Sequence, residues 1–235
     1  MENKMEFQQL LPHQIEEKSF EIIDEELKEM GISLKPEEAF VVKRAIHTTA
    51  DFDYASSLVF SPGAAAVGME AIRQGAMIIT DTNMAKSGIN SRQLKEIGGG
   101  QAFCFMADED VAVSAKEKGC TRAAASMEKA ARLFGETKEA VSENKVPKRM
   151  PVIVAVGNAP TALAVLCQFI QEGSFLPDLI IGVPVGFVNV VWSKEQILSQ
   201  NQVPYIVSKG RKGGSNVAAA IVNALIYQAR QDIMI

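Results

Sequence analysis

Between residues 15 and 30, apolar positions recur at helical spacing. Ile15, Phe20, Ile23 and Leu27 form one stripe among charged neighbours, which predicts an amphipathic helix packed on a single side. A second helix is predicted from 36 to about 48. Pro36 suits its first turn, because the missing N–H would have had no helical partner there, and Ala39, Val42 and Ile46 share its inward face. Further along, short apolar runs alternate with helical stretches. The runs at 57–60, 77–80, 102–105, 152–156, 179–183 and 205–208 read as strands. Helices are expected at 62–74, 161–172, 193–199 and 215–230, with two more between 108 and 143.

Short continuous apolar strands joined by crossover helices favour a parallel sheet buried on both faces. The predicted fold is α/β: a three-layer α/β/α arrangement with a mostly parallel central sheet. Two helix starts carry capping chemistry. Ser193-Lys-Glu-Gln196 matches a capping box, and Ser215 is placed to cap the last helix after a glycine pair. Gly98-Gly-Gly100 reads as a loop, because a strand follows at once. With no linker and no internal repeat, residues 1–235 are expected to form a single domain.

Composition then narrows the function classes. Apolar residues make up 47% and charged residues 22%, which is ordinary globular usage. The net charge of −4 provides no general attraction for nucleic acid or anionic lipid, so neither is expected as a partner. Cys104, Cys120 and Cys167 form an odd set without a CxxC and read as buried reduced thiols. With His13 and His47 the only histidines, a three-histidine metal site cannot be built. The cysteines also lack zinc-finger spacing, while a carboxylate-only magnesium site stays open. The opening MENKMEFQQL lacks the basic start and apolar run of a secretory signal. The apolar stretches 152–167 and 176–192 are broken by Asn158, Pro160, Asp178 and Pro184. A cytoplasmic protein without a membrane span is expected.

In open parallel sheets, ligands bind beyond the carboxyl ends of the strands. Four segments follow strands here: Asp81-Thr-Asn-Met-Ala-Lys-Ser-Gly88, Gly157-Asn-Ala-Pro160, Gly182-Val-Pro-Val-Gly-Phe187 and Ser208-Lys-Gly-Arg-Lys-Gly-Gly-Ser215. Together they are expected to line one crevice. In the last, Lys209, Arg211 and Lys212 stand beside three glycines ahead of a helix start, a combination suited to phosphate or carboxylate, or to a solvent-facing basic turn. Its spacing is not that of a Walker loop, and 182–187 is not the dinucleotide fingerprint. His47 lies near the end of the second helix, opposite the 39, 42, 46 stripe, and should point away from the packed face. Lys43 and Arg44 oppose a positive charge on it, whereas Asp51 and the helix end favour one. Taken alone it fits either a structural hydrogen-bonding residue or a proton donor. No Ser-His-Asp order or nucleophile elbow is present, and Cys120 shows no sign of activation by His47. Phe103, Phe105, Trp192 and Tyr205 are scattered in or beside strands and read as core or pocket wall.

Several motifs then line up in order: Ile15-Glu-Glu-Lys-Ser-Phe20, Arg44-Ala-Ile-His-Thr-Thr-Ala-Asp-Phe-Asp53, Phe60-Ser-Pro-Gly63, Thr80-Asp-Thr-Asn-Met84, Gly157-Asn-Ala-Pro-Thr-Ala-Leu163, Gly182-Val-Pro-Val-Gly-Phe-Val188 and Gly210-Arg-Lys-Gly-Gly-Ser215. In these the chain resembles, over nearly its whole length, the precorrin-8X methylmutase family of cobalamin biosynthesis, including its cobalt-precorrin-8 counterpart. The resemblance implies an isomerase that moves a methyl group from ring carbon 11 to ring carbon 12 of a corrinoid precursor, giving cobyrinate or its metal-free equivalent, hydrogenobyrinate. It implies His47 as the catalytic group, Ser19, Arg44 and Arg122 as substrate contacts, and a homodimer. Thr82, Asn83 and Met84 hold the family position of a loop over the macrocycle, and Lys209 and Arg211 are further candidates for the substrate's carboxylates. A methyl shift within one molecule needs no redox or group-carrying cofactor, and none is expected.

The chain departs from the family in three places. Asn189-Val-Val-Trp192 stands where Gly-Ala-Ala-Glu is common, Lys209 where an arginine is usual, and Gln14 where a proline is common. The first alters a pocket edge, and the second trades a planar two-point contact for a point charge. Two competing readings are a non-catalytic corrinoid carrier and a phosphate-ligand module built on residues 210–215.

Overall fold

The computed structural model describes residues 11–135 and 150–232. In chain order the elements are α1 (Pro12–Glu29), α2 (Pro36–Thr49), α3 (Tyr54–Ser57), β1 (Leu58–Phe60), α4 (Ala64–Arg73), β2 (Met77–Thr80), α5 (Asn83–Gly88), α6 (Ser91–Gly98) and β3 (Gln101–Phe103). They continue with α7 (Glu109–Lys118), α8 (Arg122–Phe134), β4 (Val152–Val156), α9 (Pro160–Glu172), β5 (Leu179–Gly182), α10 (Val190–Ser199), β6 (Tyr205–Ser208) and α11 (Ser215–Gln231). The two helices expected between 108 and 143 are α7 and α8; residues 136–143 of that region, like the opening ten, lie outside the described residues.

The strands form one six-stranded sheet in the order β1-β6-β5-β4-β2-β3. Every pair is parallel except the edge strand β1, which runs antiparallel to β6 with Leu58 opposite Ser208. Alternation along each strand sends neighbouring residues to opposite faces. Ile78, Ile153, Ile181 and Ile206 face α1, α2, α4, α6 and α11. Ile79, Val154, Ile180 and Val207 face α8, α9 and α10. The fold is thus the expected three-layer α/β/α arrangement.

Local chemistry sets the boundaries. Within α2, Val41, Val42, Ala45 and Ile46 are buried, one residue more on the inward face than the expected stripe, with Ala39 only partly covered. On α1, Ile23 and Leu27 are buried, but Ile15 is exposed and Phe20 only half-buried. Both expected caps are displaced. Helix α10 begins three residues before Ser193, behind Asn189 at a left-handed φ of 58°, a conformation asparagine tolerates better than most residues. Ser193 is therefore inside the helix, where its Oγ donates to the Val190 carbonyl at 2.9 Å. Ser215 is likewise the first helical residue of α11, behind Gly214. All three cysteines are free; Cys104 and Cys167 are buried, whereas Cys120 is only half-buried. No helix among the described residues is long and apolar enough to cross a membrane.

Candidate active site

Helix α2 carries His47 near its carboxyl end on the face away from the sheet, and the side chain is exposed. Its ring stacks on Phe20 of α1, with centroids 5.2 Å apart and planes 19° from parallel. One turn earlier, the Arg44 guanidinium lies 4.8 Å from the Phe20 ring centre and 5.1 Å from that of Tyr227 on α11. Arg44 also donates to Glu16 at 2.6 Å, which occupies only part of a fork with five N–H donors. These residues line a cleft of about 790 Å³ between α1, α2 and α11, with Ile15, Gln93 and Arg230 also on its walls. Its walls carry two aromatic rings and charges of both signs, Arg44 and Arg230 against Glu16 and Glu17; the rings suit a flat macrocycle and the guanidinium groups its carboxylates.

The structure brings His47 and Arg44 into this cleft but not the other sequence-predicted residues. Ser19 is on α1, where its Oγ donates to the Ile15 carbonyl at 2.7 Å. Thr82, Asn83 and Met84 are not a loop: Thr82 is the N-cap of α5, accepting from the Ala85 amide at 3.1 Å, and the other two open the helix. The Thr82 hydroxyl also pairs with that of Ser215 at 2.8 Å. Met84 is exposed. Arg122 is exposed at the start of α8, in the opposite helical layer from His47, behind Thr121 as N-cap. Lys209 and Arg211 are exposed on the turn after β6, and the Arg211 guanidinium lies 5.4 Å from the Phe187 ring centre.

The four segments beyond the strands meet, but they bond chiefly to one another. The buried Asp81 carboxylate accepts from the amides of Gly157, Asn158 and Ala159 at 2.9, 2.8 and 2.6 Å. Burial pushes this carboxyl up from its ordinary value, and the three amide donors oppose the rise. The Gly214 amide donates to the Val183 carbonyl at 2.9 Å, and that of Gly186 to Arg211 at 3.2 Å. A Cβ at Gly157 would stand 2.7 Å from the Gly214 oxygen, and one at Gly213 would collide with the Val183 carbonyl. Backbone cannot yield as a side-chain tip can. Gly213→Ala is accordingly expected to destabilise the fold by about 1–3 kcal/mol, read as a fall in Tm of about 2–4 °C per kcal/mol; an unchanged melt would contradict this packing.

Residues that the sequence reading passed over are as prominent as those it named. Phe20, Glu16 and Tyr227 complete the environment of Arg44 and His47; Phe20 and Glu16 stood in the motif of residues 15–20 without a role, and Tyr227 stood in none. Lys194 is fully buried, and burial pulls its ammonium down to about 8. Lys212 bridges to Asp51 at 2.6 Å and Asp53 at 2.5 Å, which holds the Asp51 carboxyl below its usual range. Trp192, read as core or pocket wall, is largely exposed.

Fold and cleft together define a three-layer α/β protein with a helix-borne histidine beside an aromatic-walled cleft that carries charges of both signs. The profile of the precorrin-8X methylmutase family matches residues 14–228. A cobalt-precorrin-8 methylmutase from Leptospira interrogans is 42% identical over 221 residues, covering 92% of this chain and 93% of the relative. A precorrin-8X methylmutase from Pseudomonas aeruginosa is 36% identical over 208 residues, covering 88% and 91%. The crystal structure of the precorrin-8X methylmutase from Thermus thermophilus superposes with a TM-score of 0.79 at 38% identity, covering 94% of this chain and 97% of that one. The chain belongs to the precorrin-8X methylmutase family. It is an isomerase of cobalamin biosynthesis that transfers a methyl group within one molecule.

Proposed function

We propose that the chain binds a corrinoid precursor, precorrin-8X or its cobalt form, and moves the methyl group from ring carbon 11 to ring carbon 12, with His47 as the catalytic group. The observation that carries this reading is the placement of an exposed imidazole, stacked on Phe20, one helical turn from Arg44 in a cleft with aromatic walls. As imidazolium, His47 protonates or hydrogen-bonds a macrocycle nitrogen, making the migration terminus electron-poor; the proton returns once the methyl group has moved. No electron or group is exchanged with a second molecule. Arg44 and Ser19 serve as contacts from α2 and α1. Thr82, Asn83, Met84, Arg122, Lys209 and Arg211 stand on segments around the carboxyl rim of the sheet, where cations meet the peripheral carboxylates.

The chain acts as one domain over residues 1–235 and as a homodimer. The first is supported by two cores packed on opposite faces of a single sheet. The second is supported by the apolar surface of Val185, Phe187, Val188, Val191 and Trp192, with Phe187 80% exposed, since a patch of this kind marks a contact. Three free thiols support a reducing, cytoplasmic setting.

Incubation of purified protein with the cobalt and metal-free substrates, followed by absorbance and mass, tests the reading. A methyl shift alters conjugation without altering mass. Several turnovers of a spectral change at constant mass are expected; substrate bound but unconverted in both forms would favour a carrier instead.

A further inference from the structure

Lys194 and Asp81 are the two buried charged side chains among the described residues, and Lys194 is the cation of the two. Its Nζ donates to the Gly210 carbonyl at 2.9 Å and to that of Lys212 at 2.8 Å. An ammonium that meets only carbonyls in the interior carries a desolvation cost that a methionine of similar shape would avoid. What the charge supplies is geometry. Gly210 lies at a φ of 74° and Gly214 at 148°, so the turn between β6 and α11 has no regular ladder of its own. Its three successive carbonyls are instead held from outside: Gly210 by Lys194, Arg211 by the Gly186 amide, and Lys212 by Lys194 and the Ser208 hydroxyl.

We propose that Lys194 is a positioning residue for this isomerase, fixing the turn that presents Lys209 and Arg211 and, through Lys212, the chain that leaves the His47 helix. The second link is the side chain of Lys212, which reaches from the same turn to Asp51 and Asp53. Those two residues follow α2 directly, behind Ala50 in the left-handed region at a φ of 52°. Asp51 also accepts from the Asp53 amide at 3.0 Å. One buried amine thereby sets two parts of the surroundings assigned to substrate: the basic turn at the rim and the end of the histidine helix. Support of this kind holds functional groups that cannot hold themselves. The proposal rests on the assignment of Lys209, Arg211 and His47 to the substrate site.

The test compares wild type with Lys194→Met, which fills the same space without donors, and with Lys212→Met, an exposed change that cuts only the second link. Hydrogen exchange is followed by segment, alongside kcat and KM for the corrinoid substrate. In Lys194→Met, exchange should quicken at 209–214 and at 50–53 with little change in the sheet, and KM should rise about tenfold with a smaller change in kcat, the signature of lost binding contacts. A role in stability alone would lower the active fraction and leave KM in place. In Lys212→Met, quickened exchange should be confined to 50–53. Unchanged exchange at 209–214 with unchanged KM in a folded Lys194→Met overturns the proposal. If that variant does not fold, Lys194→Gln takes the same readings, and unchanged exchange in both Lys194→Gln and Lys212→Met overturns it equally. The exchange arm needs no turnover, so failure of the functional assignment shows as an inactive wild type and is distinguishable from failure of the positioning role.

Discussion

Replacement of His47 by alanine is expected to lower kcat by about a hundredfold to ten-thousandfold, the usual contribution of a positioned proton donor, while the protein stays folded. The two halves of this expectation come from the same geometry. His47 is exposed on α2, and the residues that anchor that helix, Val41, Val42, Ala45 and Ile46, are on its other side. Removing the imidazole deletes a surface ring stacked on Phe20 and opens no cavity in the core, so the melting temperature should move little. KM should change less than kcat, because Arg44 stays between Phe20 and Tyr227 and retains its ion pair with Glu16. The measurement is single-turnover conversion of the corrinoid at constant mass beside a thermal melt. Unchanged turnover in a folded His47→Ala would remove His47 from the mechanism and return it to the structural role that a helix-end histidine also fits.

How much of this was legible in the sequence differs between fold and site. The buried strands β2, β4 and β6 follow from short apolar runs alone, because burial on both faces of a parallel sheet leaves a continuous signal. Helix starts were harder. Ser193-Lys-Glu-Gln196 has the residue types of a capping box, but the apolar Val190, Val191 and Trp192 before it continue the helix, and Asn189 takes the turn. The short helices α5 and α6 were missed because Thr82 and Asn90, which cap them, are also the residues of loops. At the site, His47 and Arg44 are neighbours on one helix and could be placed on one face by counting. Their partners Glu16, Phe20 and Tyr227 come from α1 and α11, and only packing brings those helices together. Asp81 and Lys194 stood inside sequence motifs, but nothing there revealed their roles, since what they bind is backbone, and backbone amides and carbonyls are the same in every sequence.

The second large effect expected is on stability, from Asp81→Ala. In this sheet β2 leads outward to β3 on one side and the chain continues through β4, β5 and β6 on the other, so the gap between the ends of β2 and β4 is where such folds commonly bind a ligand anion against a helix N-terminus. Here the chain supplies its own anion. The Asp81 carboxylate takes the three amides of Gly157, Asn158 and Ala159 that precede α9. Alanine would leave those donors without their partner, at a cost of about 2–4 kcal/mol, or a fall in Tm of roughly 5–15 °C for a chain of this size. The same argument predicts a rescue. Formate added to Asp81→Gly, where the whole side chain is gone, should raise Tm by binding the folded state alone, and should leave wild type unmoved because its donors are already engaged. A variant as stable as wild type would show that water satisfies these amides as well as the carboxylate does, and the closed packing of the four segments would then rest on the contacts of Gly157 and Gly213.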